Sequence, residues 1–387
     1  MQLLYLNAHT FLVREIANAL AKRADLRPAV VTISEKVAAE SVHGVFEQLN
    51  PHLPAVILSV NNAGYDFGGE LAALLLDAGC HLVNWFTDDP FYEETFYAAR
   101  AMPHARRIDL VSEESFVPLM RERGLNAHFL PLATDPAFFN TDGPSTYARD
   151  VAFVGNSTLE FLDGLVDEQV QHDLEKCGSL VQRLREMYFA DPQTDLRAYL
   201  LEHPELWRAS TSLPPEKFVF VVEWFVGYLH RRDVVTKIAA RYKERFTCFG
   251  DPYWQKFIDP AQVSADACYY TNLCAYYRST RVNLNVNRIQ IRTSFTQRIF
   301  DCKAGGAFIL TDARALNSRF FVTRGPEREL VEFSSPQECM ELIDYYLAHE
   351  QEREAIASRG RGKVLREHTY DRRLEQIVAL CGETWGI

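Results

Sequence analysis

The chain lacks cysteines at functional spacing. Its eight cysteines, at positions 80, 177, 248, 268, 274, 302, 339 and 381, form no CxxC pair and no His/Cys cluster with zinc spacing, which argues against a zinc module or a thioredoxin-like redox motif. They read as buried, reduced thiols of a cytoplasmic protein. The start, "MQLLYLNAHTF", has no basic segment followed by a long apolar core, so it is not read as a signal peptide. Long hydrophobic runs are also missing. The most apolar one, "KFVFVVEWFVGYLHRR", carries Glu223 in its middle and falls short of the ~20 apolar residues of a membrane span; it reads as a buried helix or strand segment. Positive charge is scarce: 41 basic against 52 acidic residues leave a net charge of −11, so bulk charge does not hold a nucleic acid, although a local basic pocket remains allowed. Neither half has G-x-G-x-x-G after its first strand, which weakens a dinucleotide-dependent oxidoreductase. There is no internal repeat, no low-complexity tract and no convincingly placed DxD motif, so no metal is expected.

What is present is a regular alternation. The 387 residues suit two domains. Short apolar runs at Leu3–Leu6, Ala29–Ile33, Ala55–Val60, Leu82–Phe86, Ile108–Val111 and Phe129–Leu132 are continuous, as strands buried on both faces should be. Amphipathic stripes lie between them, such as Phe11, Leu12, Ile16, Ala19 and Leu20. Strands alternating with helices predict an α/β, doubly wound, parallel sheet over about 1–140. A connector rich in turn residues, Ala133 to Asp150, precedes a second series: Val151–Asn156, Phe246–Phe249, Val282–Val286, Ala307–Leu310 and Leu330–Phe333. The second domain then spans about 150–365. It contains a helical stretch at about 158–242, longer than one crossover helix needs and read as an insertion. A terminal helix, 366–387, is placed so that it could cross back to the first domain. Two such domains predict a cleft, with ligands beyond the carboxyl ends of the strands.

The densest stretch is "SFTQRIFDCKAGGAFILTD", Ser294 to Asp312. On a helix from Ser294 to Ala304, Phe295, Ile299 and Cys302 share one face, while Ser294, Arg298, Asp301 and Gly305 share another. The helix follows the strand ending "VNLNVN", and a helix N-terminus at a strand's carboxyl end favours anions. Arg288, Arg292 and Arg298 lie close by in sequence, and a guanidinium suits a diphosphate. Asp301, about two turns in, could accept hydrogen bonds from the vicinal hydroxyls of a ribose. The plainer alternative is an Arg298–Asp301 surface ion pair, with Gly305 and Gly306 as a helix stop.

The order of motifs favours the sharper reading. "AFVGN" (152–156), "FTCFGD" (246–251), "STRVNLNVNR" (279–288), "QRIFDCKAGGAFILTD" (297–312), "LVEF" (330–333) and "REHTYDRRL" (366–374) resemble the second half of group 1 glycosyltransferases of the spore-maturation-protein type. "VNWFTDDP" (83–90) and "HFLPLATDPAFF" (128–139) resemble that family's first half. The resemblance covers most of the chain outside 158–242. It implies a GT-B fold, two Rossmann-like domains facing across a cleft, and transfer of a sugar from a nucleotide-sugar bound mainly by the second domain; the transfer is expected to be metal-independent, with retention favoured over inversion as its course. No further cofactor is implied. Asp301 matches the acidic residue before the family's small-residue turn, though the family usually has glutamate there. Arg298 matches the arginine three residues earlier. Gly155 and Asn156 match the loop that approaches the donor phosphates. Thr293 stands where related retaining enzymes carry a second acid.

The same reading places Asn285, Arg288, Ser294, Gly305 and Gly306 in the donor site, with structural hydrogen bonding as the alternative for Asn285. Asp88 and Asp89 follow a buried strand; one is expected to cap the helix starting at Pro90, and the other to act as base toward the acceptor or to hold acceptor hydroxyls. His9, in the loop after the first strand, is a further catalytic candidate. The acceptor, whether protein, glycan or small molecule, is not specified by the sequence. A catalytically silent GT-B module that recruits a partner is the alternative function.

Overall fold

In a computed structural model, the structure describes residues 1–8, 11–33, 39–65, 69–92, 102–140 and 146–387. His9 lies outside the described residues. The chain divides into two compact units, Met1–Asp135 with Glu367–Ile387, and Pro136–Arg366.

The first unit is built on a six-stranded sheet. Its strands are β1 (Gln2–Asn7), β2 (Ala29–Thr32), β3 (Ala55–Val60), β4 (His81–Phe86), β5 (Arg107–Val111) and β6 (Ala127–Phe129), in the order β2-β1-β3-β4-β5-β6. All pairings are parallel. The interior strands β3 and β5 are buried along their whole length, which is why their sequences are apolar runs rather than alternations. The terminal helix Tyr370–Trp385 belongs to this unit. Tyr370, Leu374, Ile377 and Cys381 recur at helical spacing and enter the same core as Leu12, Ile16 and Leu20 of the helix after β1. A short parallel bridge between Thr134 and Thr369 fastens its entry. Buried Arg373 donates to the Pro131 carbonyl at 2.7 Å and to the Leu132 carbonyl at 3.1 Å.

The second unit has β7 (Arg149–Val154), β8 (Phe246–Phe249), β9 (Val263–Ser264), β10 (Thr280–Asn285), β11 (Ile309–Asp312) and β12 (Val331–Phe333), in the order β12-β11-β10-β7-β8-β9. These pairings are parallel as well. The two-residue β9 carries no apolar run and was not expected.

The helical stretch after β7 divides in two. Short helices at Leu159–Asp163, Glu168–Lys176, Gly178–Ala190 and Leu196–Glu202 come first. Asp167 and Asp195 accept from the amides of Val170 and Ala198 and so cap two of them. The 28-residue helix Pro215–Tyr242 follows, with proline in its first turn. Its last half puts Val234, Val235, Ile238 and Ala239 into the sheet's core beside Val151, Phe246 and Val282. This helix is therefore the crossover from β7 to β8. The material beyond what a crossover needs ends before Pro215 rather than at Tyr242. "KFVFVVEWFVGYLHRR" is helical and buried on several sides, which explains its weak amphipathicity.

Candidate functional site

The second sheet reverses its strand order between β7 and β10, and that is where a doubly wound sheet binds ligands. The loop after β7 is Gly155-Asn156-Ser157, and it is held by main-chain and side-chain bonds. The Gly155 amide donates to the Phe249 carbonyl at 2.8 Å, and the Gly155 carbonyl accepts from the Trp254 indole at 2.9 Å. The Ser157 amide donates to Asp251 at 2.6 Å. A Cβ on Gly155 would lie 2.9 Å from Nη2 of Arg298. Glycine here is what lets the guanidinium come up against the loop.

Arg298 leaves the first turn of the helix Gln297–Ala304, which starts three residues later than the periodicity of Ser294–Ala304 suggests. Its Nη1 donates to Oδ1 of Asn285, and its guanidinium lies 5.7 Å from the centre of the Phe153 ring. Arg231, from the crossover helix, is fully buried; it donates to the carbonyls of Asn156 at 3.0 Å and Val286 at 2.6 Å. Its guanidinium also stands 5.8 Å from the Phe153 ring. Arg288 follows β10 and completes a group of three. Among the described residues no carboxylate pairs with Arg288.

The electrostatics reflect this crowding. Burial, then Arg288 and Arg298, hold the Arg231 guanidinium well below its ordinary value, against a pull upward from Asp312. Burial lowers Arg298 as well, with Arg288 adding to it. The opposing carboxylate, Asp312, is already engaged: its Oδ1 accepts from the Asn287 side chain at 2.9 Å, and its Oδ2 lies 2.7 Å from Arg314. Three cations thus converge at the ends of β7 and β10 with one committed carboxylate nearby. Like charges gathered in this way, with Arg231 fully buried among them, suit an anion chemically.

The other expected residues divide. Asp301 is buried, and its Oδ2 accepts from the Tyr269 hydroxyl at 3.0 Å; that hydroxyl in turn accepts from Gln297. Tyr269 packs edge-on against Phe139, ring centres 5.0 Å apart. No bond joins Arg298 to Asp301, so the simple surface ion pair does not form. Asn285 spends its amide within the protein, donating to Asn287 and Thr311 and accepting from Thr296 and Arg298. Its observed work is structural. Ser294 is buried in the loop before the helix. Gly306 takes φ +77 and ends the helix, while a Cβ on Gly305 would stand 3.1 Å from Cys274 Sγ.

Asp88 and Asp89 follow β4 in the first unit. Asp89 is buried and accepts from the Phe91 amide at 2.9 Å, a local cap. Asp88 is exposed and accepts from Asn61 at 3.1 Å. Sequence reasoning missed Arg231 and Trp254, while Asp251 was expected only as part of the loop after the strand 246–249. For Arg231 a signal existed: Glu223, Gly227 and Arg231 interrupt an apolar helix at intervals of four.

Residues 231–379 match the family model described as "Glycosyl transferase-like", a match that begins on Arg231. No curated protein matches the chain in sequence. Among solved structures, Anabaena HepE in complex with UDP-glucose aligns at a TM-score of 0.51 and 11% identity, covering 99% of this chain and 100% of that one. HepE in complex with UDP and glucose aligns at 0.50 and 12%, covering 99% of each chain. The fold is GT-B. Identity this low speaks to fold, which rests here on two parallel six-stranded sheets.

Proposed function

We propose that this protein is a glycosyltransferase that uses a nucleotide-sugar, with the donor's diphosphate held by Arg231, Arg288 and Arg298. The observation that carries the reading is the convergence of these three guanidiniums at the strand reversal of the second sheet. Mutual repulsion between desolvated cations is relieved by an anion, and a diphosphate offers several oxygens to planar guanidinium forks. Gly155 leaves the loop without a side chain on the approach. Asp301, oriented by Tyr269, is the acceptor for ribose hydroxyls. The match of 231–379 to the glycosyltransferase family model and the UDP-glucose bound by HepE support this reading.

The chemistry follows from charge. As the bond from sugar to diphosphate breaks, negative charge grows on the leaving oxygens, and fixed guanidiniums stabilise that state more than the ground state. Positive charge supplied by the protein makes the reaction metal-independent in this proposal. The course is taken as retaining, to be read from the anomeric configuration of the product. Asp88, the exposed member of its pair, is the candidate base for the acceptor hydroxyl.

The test is titration of the protein with UDP. Arg298→Ala and Asp301→Ala are each expected to weaken binding at least tenfold, about 1.4 kcal/mol. Unchanged affinity in both variants would overturn the site. Tight UDP binding with neither transfer nor hydrolysis of any nucleotide sugar would instead mark a silent binding module.

A further inference from the structure

The helix Pro215–Tyr242 grips the segment after β10 at three successive turns. Glu223, Gly227 and Arg231 are four residues apart and share one stripe. Glu223 Oε1 accepts from Arg292 Nη2 at 2.8 Å. A Cβ on Gly227 would lie 2.5 Å from Cβ of Ile289, so only glycine admits that side chain. Arg231 donates to the Val286 carbonyl at 2.6 Å. The partners 292, 289 and 286 run down the sequence as the helix residues run up it, so the segment lies antiparallel along the stripe. Between these anchor points sits Arg288, and just beyond them are Thr293, Ser294 and the helix bearing Arg298.

The upper anchor is a charge network centred on the buried pair Arg292 and Glu223, with Asp195 at its exposed edge. Arg292 pairs with Glu223 and, at 2.7 Å, with Asp195, the cap of the helix Leu196–Glu202. Arg197 pairs with the other oxygen of Glu223 at 2.7 Å. Two cations and two carboxylates balance. Pairs of this kind contribute little net stability but hold geometry, and Glu223 is the member both guanidiniums share, so losing Arg197 leaves the Glu223–Arg292 bond in place.

We propose that the Glu223-Gly227-Arg231 stripe is a positioning device for the anion site: Glu223 and Gly227 touch no ligand, yet they set where Arg288 and the loop leading to Arg298 stand. Through Asp195 the short helices after β7 take part in the same clamp, which gives this extra segment a role in substrate affinity.

The test compares Glu223→Gln and Gly227→Ala with Arg197→Gln in the full-length protein. Arg197 belongs to the same network through Oε2 of Glu223, the oxygen that Arg292 does not use. Hydrogen exchange of peptides covering 286–296, without ligand, is expected to speed up at least tenfold in the first two and to stay within twofold of wild type in the third, at matched global stability. UDP affinity is expected to follow the same split. The affinity half rests on the nucleotide-sugar reading; the exchange half does not. Faster exchange in a protein that binds no UDP would remove that reading and keep the clamp. Exchange unchanged in Glu223→Gln and Gly227→Ala, or equally fast in Arg197→Gln, would overturn the clamp. If Gly227→Ala does not fold, Glu223→Gln and Arg197→Gln alone decide.

Discussion

The two units share a parallel six-stranded plan, but the described residues at their strand reversals differ in chemistry. In the first sheet the order changes between β1 and β3. The turn after β3 holds Asn61 and Asn62, both in left-handed backbone at φ 50 and 54, a conformation asparagine tolerates better than most residues. The Asn61 amide bridges to Thr87 and Asp88, and Asn62 accepts from Arg107 at 3.2 Å. The ion pair below is closed: Arg107 meets Asp109 at 2.7 Å, and burial still raises the Asp109 carboxyl above its ordinary value despite that partner. In the second sheet the reversal falls between β7 and β10, and three arginines meet there. Topology decides where a ligand can sit. On the proposed reading, the charge gathered there decides what kind of ligand it is.

The comparison can be broken by treating one buried arginine from each unit alike. Arg107→Met strands the Asp109 carboxylate in the core, so the first unit should lose about 3–5 kcal/mol of stability, with UDP affinity at low temperature unchanged. Arg231→Met removes the donors to the Asn156 and Val286 carbonyls and one cation of the trio. It should cost about 2–4 kcal/mol of UDP binding. Calorimetric unfolding and UDP titration of both variants check the pair. Equal loss of UDP affinity in the two would erase the distinction between the reversals. Gly155→Ala is a smaller change, placing a methyl 2.9 Å from the movable end of Arg298. UDP affinity is expected to fall several-fold with little change in melting temperature.

A separate effect, on stability alone, concerns Lys303, which lies on the helix of Arg298, is buried and donates to the Glu329 carbonyl. Burial pulls its amine down to about 8. The unfolded chain binds that proton up to about pH 10.4. Between those values the unfolded state holds more protons than the native one, so stability rises with pH through this window, and the full penalty stands below pH 8. Wild type minus Lys303→Met, followed by denaturant unfolding from pH 7 to 10, should show this rise. A flat difference would mean the amine titrates normally.

Much of the plan was legible. Continuous apolar runs mark strands covered on both faces, and they located the ends where Gly155, Arg288 and Arg298 stand. Asp301 was singled out by its place one turn after Arg298 on a short helix, and the structure buries it there beside a partner that local sequence does not reveal. Tyr269 lies 32 residues earlier, and nothing local in "CYYTN" says which ring points its hydroxyl at a carboxylate. Arg231 was hidden for a related reason. In "LHRRD" it looks like an exposed basic residue, and it is buried only because carbonyls from the ends of β7 and β10 come to meet it. Non-local acceptors leave no mark on local periodicity. The crossover helix was absorbed into the insertion because no turn residue divides its outer half from the half on the sheet.

That undivided helix ties the anion site to helical phase. Each residue of an α-helix turns the next by about 100°. One residue added between Gly227 and Arg231 would leave the sheet-packed half in place and swing Glu223 and Gly227 about a quarter turn away from Arg292 and Ile289. Four residues added would nearly restore the direction but lift it about 6 Å along the axis. The length of this rod between its two anchorages is therefore fixed to the residue, whereas the helices before it meet it through a loop that can change its count.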